Sequence, residues 1–535
     1  MKKLIALFLA FALVFLVSQA FAVNSLAAGE NDFEIEFTED GNGIIITKYN
    51  GQEKNLIIPN TIKGKPVKEI NEWAIETAES IKLPDGLEEI NIYAFSRDLK
   101  EITISNQNPY FSTLSGVLYN KDKTKLIAFP RARMDNNFII PDSVKEIGGD
   151  AFAYNSYIEN VKLPDGLELI GDFSFQGTGL KSILIPDAVT YIGEQAFFDA
   201  KNLDKFNIPK NVNYIESGAF LYTKWHDNQK DEFVIIGNGV LVKYNGNDEI
   251  LVLPSDIKYI DDYVFSTSMY PDYPSPGKNI KEIILPDGLI EIRTSAFSDS
   301  NIKNFTLPSS LEKIGRCSFM RCKEIEKIII PDNVTSIDRE AFMSCINLKN
   351  VVLPKNIKRI EINLFDGCLQ LENIVIPNSV EYIGSSSFGW CENLKYVTIP
   401  PSVKKLELCA FCSCENLKYL YIPSTVADIS IHWVTENYPV ILCQKDSEIE
   451  KYVRNGDPNH FPNGLEYINA QKGDLNSVGE ISASDARLVL RAVAKLEALT
   501  EIQEILADVN YDGEVDAADA RMILRHVAKL ENIAQ

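Results

Sequence analysis

The sequence predicts an α/β solenoid, rich in strand and built from repeats of about 23 residues, followed by a small all-α domain. Two regularities carry that prediction. Phe follows a Pro by 11 residues twelve times, at Phe95, Phe152, Phe175, Phe197, Phe220, Phe265, Phe297, Phe319, Phe342, Phe365, Phe388 and Phe411. Prolines Pro286, Pro308, Pro331, Pro354, Pro377, Pro400 and Pro423 are spaced by 22 or 23, so seven units run without interruption. The second regularity lies in the last sixty-odd residues, which spell one loop-and-helix unit twice, 34 residues apart.

Taken in order, the chain opens with Met1-Lys2-Lys3, an apolar run over 4–17, and Ser18-Gln19-Ala20-Phe21-Ala22. A basic start, a short apolar stretch and an Ala-x-Ala ending predict a signal peptide within 1–28, cut after Ala22 or after Ala28. No later stretch reaches the roughly 18 apolar residues of a membrane span, so the mature protein is expected outside the membrane. Alternation in Phe33-Glu-Ile-Glu-Phe37 and the run Ile44-Ile45-Ile46 predict a strand-rich N-terminal cap over 29–58.

The repeat body is expected over 59–425. A unit such as 348–368 offers one short strand through Val351 and Leu353, Pro354 to end its hydrogen bonding, a second apolar pair at Ile357 and Ile360, and a turn carrying Phe365. No unit can bury its apolar side alone. Stacked neighbours complete one another's core, with strands about 4.8 Å apart, and an elongated curved rod is the expected product. Interruptions at Asn108-Pro-Tyr-Phe-Ser112 leading to Gly116, and at Gly239-Val-Leu-Val-Lys243, read as inserted hairpins, and 270–277 reads as a lengthened Pro-rich loop. A helix over 447–455, closed by Leu465-Glu-Tyr-Ile468, predicts a C-terminal cap within 426–469. Only 469–472 then separates the body from the last domain, 470–535, a linker short enough to limit reach.

The wording I-P-x-x-V-x-x-I-G-x-x-A-F-x-x-C-x-x-L, closely met over 371–394, resembles the BspA-like leucine-rich repeat family of bacterial surface and secreted proteins. Both hairpin interruptions resemble that family too. The resemblance implies a leucine-rich-repeat solenoid.

The duplicated unit points to calcium. A hard cation takes six to eight oxygens, and a twelve-residue loop with acids or amides at positions 1, 3, 5, 9 and 12 and Gly at 6 can wrap one. In the second copy Asp508, Asn510, Asp512, Asp516 and Asp519 offer side-chain oxygen, Glu514 its backbone carbonyl, and Gly513 the sharp bend. In the first copy Asp474, Asn476, Ser482, Asp485 and the Glu480 carbonyl remain, with Val478 in the fifth position. Two Ca2+ ions are therefore expected, the first held more weakly. Residues 472–535 carry 12 acids and 7 bases, a net of −5 that two calcium ions would bring to −1. Without metal these carboxylates should repel and keep the segment largely unfolded, since binding energy is also folding energy.

Residues 473–533 resemble a dockerin, an EF-hand-like module that plugs cellulosomal subunits into the cohesin domains of a scaffoldin. Asp at position 12 fits that family, as does one helix after each loop instead of two around it. The resemblance implies cohesin contacts from loop positions 10 and 11 and the helix that follows. These are Ala483, Ser484, Leu490, Arg491 and Lys495 in the first copy, and Ala517, Ala518, Leu524, Arg525 and Lys529 in the second. The two sets nearly coincide, which implies a pseudo-twofold surface able to dock in either of two orientations. A solvated helix face is the lesser alternative for Arg491 and Arg525, while the leucines read about as well as core between the helices.

Composition narrows the partners. A net charge of −22 argues against nucleic acid and anionic membrane surfaces. Nine cysteines in an exported chain would ordinarily suggest disulfides, but Cys322, Cys345, Cys368, Cys391 and Cys414 recur every 23 residues and should form a ladder of buried thiols. Cys317, Cys409, Cys412 and Cys443 fall outside it, and no ligand set accompanies Cys409-x-x-Cys412-x-Cys414 to make a metal site. Free thiols survive export most easily in an anaerobe.

Tyrosines mark two candidate ligand surfaces. Tyr396, Thr398, Tyr419 and Tyr421 fall at solvent-facing strand positions of adjacent units, and Tyr191, Tyr214, Tyr259 and Tyr382 each lie five residues after a Pro. Aromatic rings stack on sugars and anchor protein interfaces, and they also simply suit half-buried strands. Catalysis finds little support. His226, His432, His460 and His526 sit in unrelated settings, and neither a nucleophile motif nor a phosphate-cradling glycine loop is present. The expected protein is a secreted, non-catalytic cellulosomal component of an anaerobic bacterium. It would bind a scaffoldin cohesin through calcium-organised helices and display the repeat rod to a protein or plant cell-wall polysaccharide. The alternative is a dockerin-borne polysaccharide-degrading enzyme, a lyase or hydrolase.

Overall fold

The structure, a computed structural model, describes residues 28–267, 276–407, 409–429, 439–455 and 467–533. The expected signal peptide, most of the 270–277 loop, His432, His460 and Leu465 lie outside the described residues. The chain divides into two compact units, Met1–Gln229 and Lys230–Gln535.

In the first unit, Phe33–Phe37 pairs antiparallel with Ile44–Tyr49, which runs parallel to Lys65–Ile70, so the N-terminal strands cover the first coils with a small sheet. The interruption near 110 is a hairpin, Phe111–Leu114 against Val117–Asn120. From there a ladder of short strands runs through Lys125–Ala128, Glu146–Ile147, Leu169–Ile170, Tyr191–Ile192 and Tyr214–Ile215. A second ladder joins Asn137–Ile139, Asn160–Lys162, Ser182–Ile183 and Lys205–Phe206. The second unit repeats the plan, opening with the hairpin Phe233–Ile236 and Val240–Tyr244.

Most coils therefore contribute two strands, where the sequence pattern suggested one; at Asn304 and Asn373 the first is reduced to an isolated bridge. The apolar pair after the Pro forms its own parallel ladder, as between Tyr382–Ile383 and Lys405–Leu406. The corner between the two strands is a turn closed on the proline carbonyl, which accepts from the residue three places on: Val380 N on Pro377 O at 3.0 Å, Val403 N on Pro400 O at 3.1 Å. Proline suits that corner because it cannot extend the preceding ladder.

The third corner carries the core. Phe297, Phe319, Phe342, Phe365, Phe388 and Phe411 stack in one column, with successive centroids 5.2 to 5.6 Å apart and planes within 15°. In the first unit Phe152, Phe175, Phe197 and Phe220 stack likewise. That spacing is close to the strand separation, so one ring per coil fills the column without a gap.

The cysteine ladder follows from the same corner. Cys322, Cys345, Cys368, Cys391 and Cys414 are all buried. Each thiol donates to the Phe carbonyl of the preceding coil, from Cys322 on Phe297 O at 3.0 Å to Cys414 on Phe388 O at 3.1 Å. Burial pushes the Cys322 and Cys414 thiols up to about 12 and raises the three between them. These thiols should therefore stay unmodified when native protein is treated with iodoacetamide at pH 8, and react only after unfolding. Mass spectrometry showing native labelling at the rate of an unstructured peptide would rule the buried ladder out. Outside the row, Cys409 and Cys412 are joined as a disulfide, a pairing that the sequence reading did not foresee. The positive φ of Cys409 and the turn that follows bring the two sulfurs together.

Five α-helices occur among the described residues: α1, Lys224–Asn228; α2, Glu448–Asn455; α3, Ala483–Val493; α4, Glu501–Ala507; and α5, Ala517–Val527. Glu450 and Arg454 pair within α2, and the ladder Tyr419–Tyr421, Val440–Cys443, Tyr467–Asn469 ends beside it. The last three helices follow directly.

Candidate calcium loops and partner-facing helices

Both loops adopt one geometry. In the first, Asp474 accepts from Val478 N at 3.1 Å and Gly479 N at 2.7 Å, and Asp485 accepts from Leu475 N and Asn476 N with one oxygen and Ser482 N with the other. In the second, Asp508 accepts from Asp512 N at 3.2 Å and Gly513 N at 3.3 Å, and Asp519 accepts from Val509 N, Asn510 N and Asp516 N. Gly479 and Gly513 sit at φ +88° and +85°, the left-handed bend required at position 6. Ser482 and Asp516 cap α3 and α5, with Asp485 and Asp519 completing capping boxes.

The donor chemistry fits a hard cation. Every side chain at positions 1, 3, 9 and 12 offers oxygen, and Asp485 and Asp519 are fully buried. Burial raises the Asp519 carboxyl to about 6, with the neighbouring Asp508 adding to the rise, and burial raises Asp508 as well. Negative charge gathered where burial opposes it is what a cation would offset. As they stand, no three His, Cys, Asp or Glu side chains form a ligand cluster among the described residues. Val478 is 69% exposed and offers no side-chain oxygen, whereas Asp512 accepts from Glu514 N.

Helices α3 and α5 pack on each other through Ala486, Val489, Ala520 and Ile523, with Leu475, Val509 and Ile533 closing the core. Leu490 and Leu524 are not in it: they are 45% and 43% exposed, which sets aside their reading as interhelical core. Beside them Arg491 pairs with Glu497 and Arg525 with Glu531, each at 2.7 Å. Ala483, Ser484, Lys495, Ala517 and Lys529 are exposed and Ala518 is half-buried. The structure thus brings most of the two sequence-matched sets onto open helix surface, with the leucines, arginines and lysines exposed in both copies. It differs from expectation around the second loop, which is flanked by two helices, α4 and α5. The capping box Thr500-x-x-Gln503 was the sequence signal for α4.

The tyrosines meet a different fate. Tyr396 pairs with Tyr419, and Thr398 with Tyr421, in adjacent strands. Tyr421 is fully buried, however, in a cluster with Leu442, Ala470, Ile505, Leu506 and Tyr511, against which Tyr419 and Ile502 also pack. The last domain covers this end of the sheet, so Tyr421 is not a free ligand-binding residue. A cleft of about 530 Å³ remains between coils and helices, with Val375, Tyr396, Thr398, Val493 and Glu504 on its walls. In the other set only Tyr191 and Tyr214 are strand neighbours. Tyr259 lies under Arg293 and Tyr382 under Arg359, at 5.1 and 3.8 Å from the ring centroids.

Lys472 is the residue at this junction that sequence reasoning passed over. Counted as linker, it is fully buried and donates to the carbonyls of Ile505 and Asp508, with its ammonium 4.6 Å from the Tyr511 centroid and 5.4 Å from that of Tyr421. Burial lowers its pKa to about 8. Only its Gly473 neighbour and the following loop hinted at a structural role.

Residues 50–137, 127–237, 235–370 and 358–437 match the family of BspA type Leucine rich repeat regions, in 6 copies. Residues 472–528 match the Dockerin type I domain family. Among solved structures, the chain is similar to a leucine rich cell surface protein from Faecalibacterium prausnitzii, at 22% identity over 68% of this chain and 96% of that one, with a TM-score of 0.33. It is also similar to a leucine-rich repeat protein from Bacteroides ovatus, at 20% identity over 84% of this chain and 100% of that one, with a TM-score of 0.33. No curated protein matches. Coils cornered by Pro and Phe, followed by twin acid-lined loops that each lead into a helix, are accounted for together: the chain belongs to the BspA-type leucine-rich repeat family and carries a C-terminal dockerin type I domain.

Proposed function

We propose that this protein is a secreted, non-catalytic component of a cellulosome, held on a scaffoldin cohesin by calcium-organised helices while its coils bind a second protein. The observation that carries the reading is the matched, open placement of Leu490 with Arg491 and Leu524 with Arg525. Arginine is among the residues that anchor protein interfaces, and the exposed leucine beside each one adds apolar surface for a partner to bury. In the proposed holo state Asp474, Asn476, Ser482, Asp485 and the Glu480 carbonyl would hold one Ca2+. Asp508, Asn510, Asp512, Asp516, Asp519 and the Glu514 carbonyl would hold the other.

For the coils, protein is favoured over polysaccharide. The face that the dockerin covers at Val375 continues over Val352, Ile329 and Ile284, all of them exposed aliphatics. Such a stripe suits a protein surface better than a sugar, which prefers aromatic platforms.

Matched copies make a specific test possible. Full-length protein should retain cohesin with either Leu490→Asp or Leu524→Asp alone, because the other copy can still dock, and lose binding at least a hundredfold with both. Calorimetry against scaffoldin cohesins, with and without chelator, reads this directly. Undiminished binding by the double variant would refute the assignment of this face. Release of reducing or unsaturated sugar from plant polysaccharide by the purified protein would instead favour the enzyme reading.

A further inference from the structure

The two loops share a fold but not a setting. Around the first, Gly479 has open space where a Cβ would stand, and Ser477 and Val478 are exposed. Around the second, the coils of the same unit close in on the backbone. Asn378 Nδ2 donates to the Asn510 carbonyl at 2.8 Å. Tyr511, at loop position 4, is buried in the cluster with Tyr421 and Leu442. A Cβ at Gly513 would run into Val375 Cγ2. Lys472 donates to the Asp508 carbonyl from beneath, and Lys418 pairs with Glu501 of α4 at 2.8 Å.

We infer that calcium binding at the second loop and docking of the dockerin on the leucine-rich coils are one coupled equilibrium, with Val375, Asn378, Lys418 and Tyr421 as the docking surface. The inference rests on the calcium reading above and adds what controls the site. Binding a cation to a loose loop includes the free energy of ordering that loop. Three of the four residues from 510 to 513, namely Asn510, Tyr511 and Gly513, already lie against the coils through contacts that involve no proposed ligand side chain. The second loop should therefore bind more tightly than its donors alone would give. Reciprocity then requires calcium to strengthen the docking by the same factor. Among the described residues no coil side chain contacts the first loop in this way, so its expected weaker binding has two sources: the Val at its fifth position and the lack of such a buttress.

The test uses full-length protein with substitutions on the coil side only, so that no proposed ligand changes. Terbium titration excites Tyr511 beside the second loop, and calorimetry with calcium counts both sites. Asn378→Ala together with Lys418→Glu should weaken the second site three- to tenfold and leave the first unchanged. Val375→Ala, a milder change, should weaken it in the same direction by less. In the unsubstituted protein, hydrogen exchange of strands Tyr419–Tyr421 and Val440–Cys443 should quicken on chelation. Calcium bound at both loops with affinities indifferent to the coil-side changes, or exchange in those strands unaltered by chelator, would overturn the coupling while leaving the calcium reading intact. No calcium bound at either loop would overturn both.

Discussion

Phe365→Ala is expected to destabilise the Lys230–Gln535 unit by about 3–5 kcal/mol, the range for emptying a fully buried aromatic site. Its ring lies between those of Phe342 and Phe388, 5.6 Å from each. Ordinarily a core relaxes into such a void. Here the coil spacing is fixed by backbone bonds on either side, Phe342 N to Leu364 O at 3.1 Å and Phe365 N to Ser387 O at 2.8 Å, so the neighbouring rings cannot close the gap. Phe365→Leu keeps much of the volume and should cost less, about 1.5 kcal/mol. Denaturant unfolding followed by circular dichroism measures both. A loss under about 1 kcal/mol for the alanine variant would mean that the column is not continuous.

The second large effect concerns Asp519. Asp519→Asn retains a side-chain acceptor but halves the charge that this buried position shares with Asp508, and calcium affinity at the second loop should fall at least a hundredfold. Stabilisation by calcium is lost with it. At free calcium a thousand times the dissociation constant one site contributes about 4.1 kcal/mol, enough to decide whether a domain this small is folded. Acid should act through the same groups. Burial places the Asp519 carboxyl at about 6, above its value of about 3.9 in an unfolded chain. The metal-free domain is therefore relatively stabilised below about pH 4, and that contribution is lost as the pH rises through about 6. Calcium has the opposite requirement, because it needs the ionised carboxylates, so its apparent affinity should drop as the pH falls through about 6. Calorimetry at pH 7.5 and 5.5 decides: an affinity that does not move, or that rises in acid, contradicts the assignment.

Much of this was legible in the residues because both halves of the chain repeat. A Phe 11 places after each Pro needs only one solution, and stacking it makes every coil report on the next. The thiol ladder could be read for the same reason. What escaped the sequence was non-repetitive. The second strand of each coil is only two residues long, too short for alternation to show, and exists because Ile383 and Leu406 stack across coils. Helix α4 is seven residues, short for a periodic pattern, although its capping box was visible. Burial of Tyr421 and Lys472 depends on tertiary packing between segments far apart in the chain. A Lys three residues after a strand looks solvated until the ring of Tyr511 and two carbonyls surround it.

The seat that Tyr421 and Tyr511 form around Lys472 takes away the swivel that a loose tether would supply. If a cohesin accepts first one helix and then its twin, the half-turn is not absorbed at the junction. It swings the adjoining coils bodily to the opposite heading, so that picking a binding mode also picks which direction the cargo faces on its scaffold.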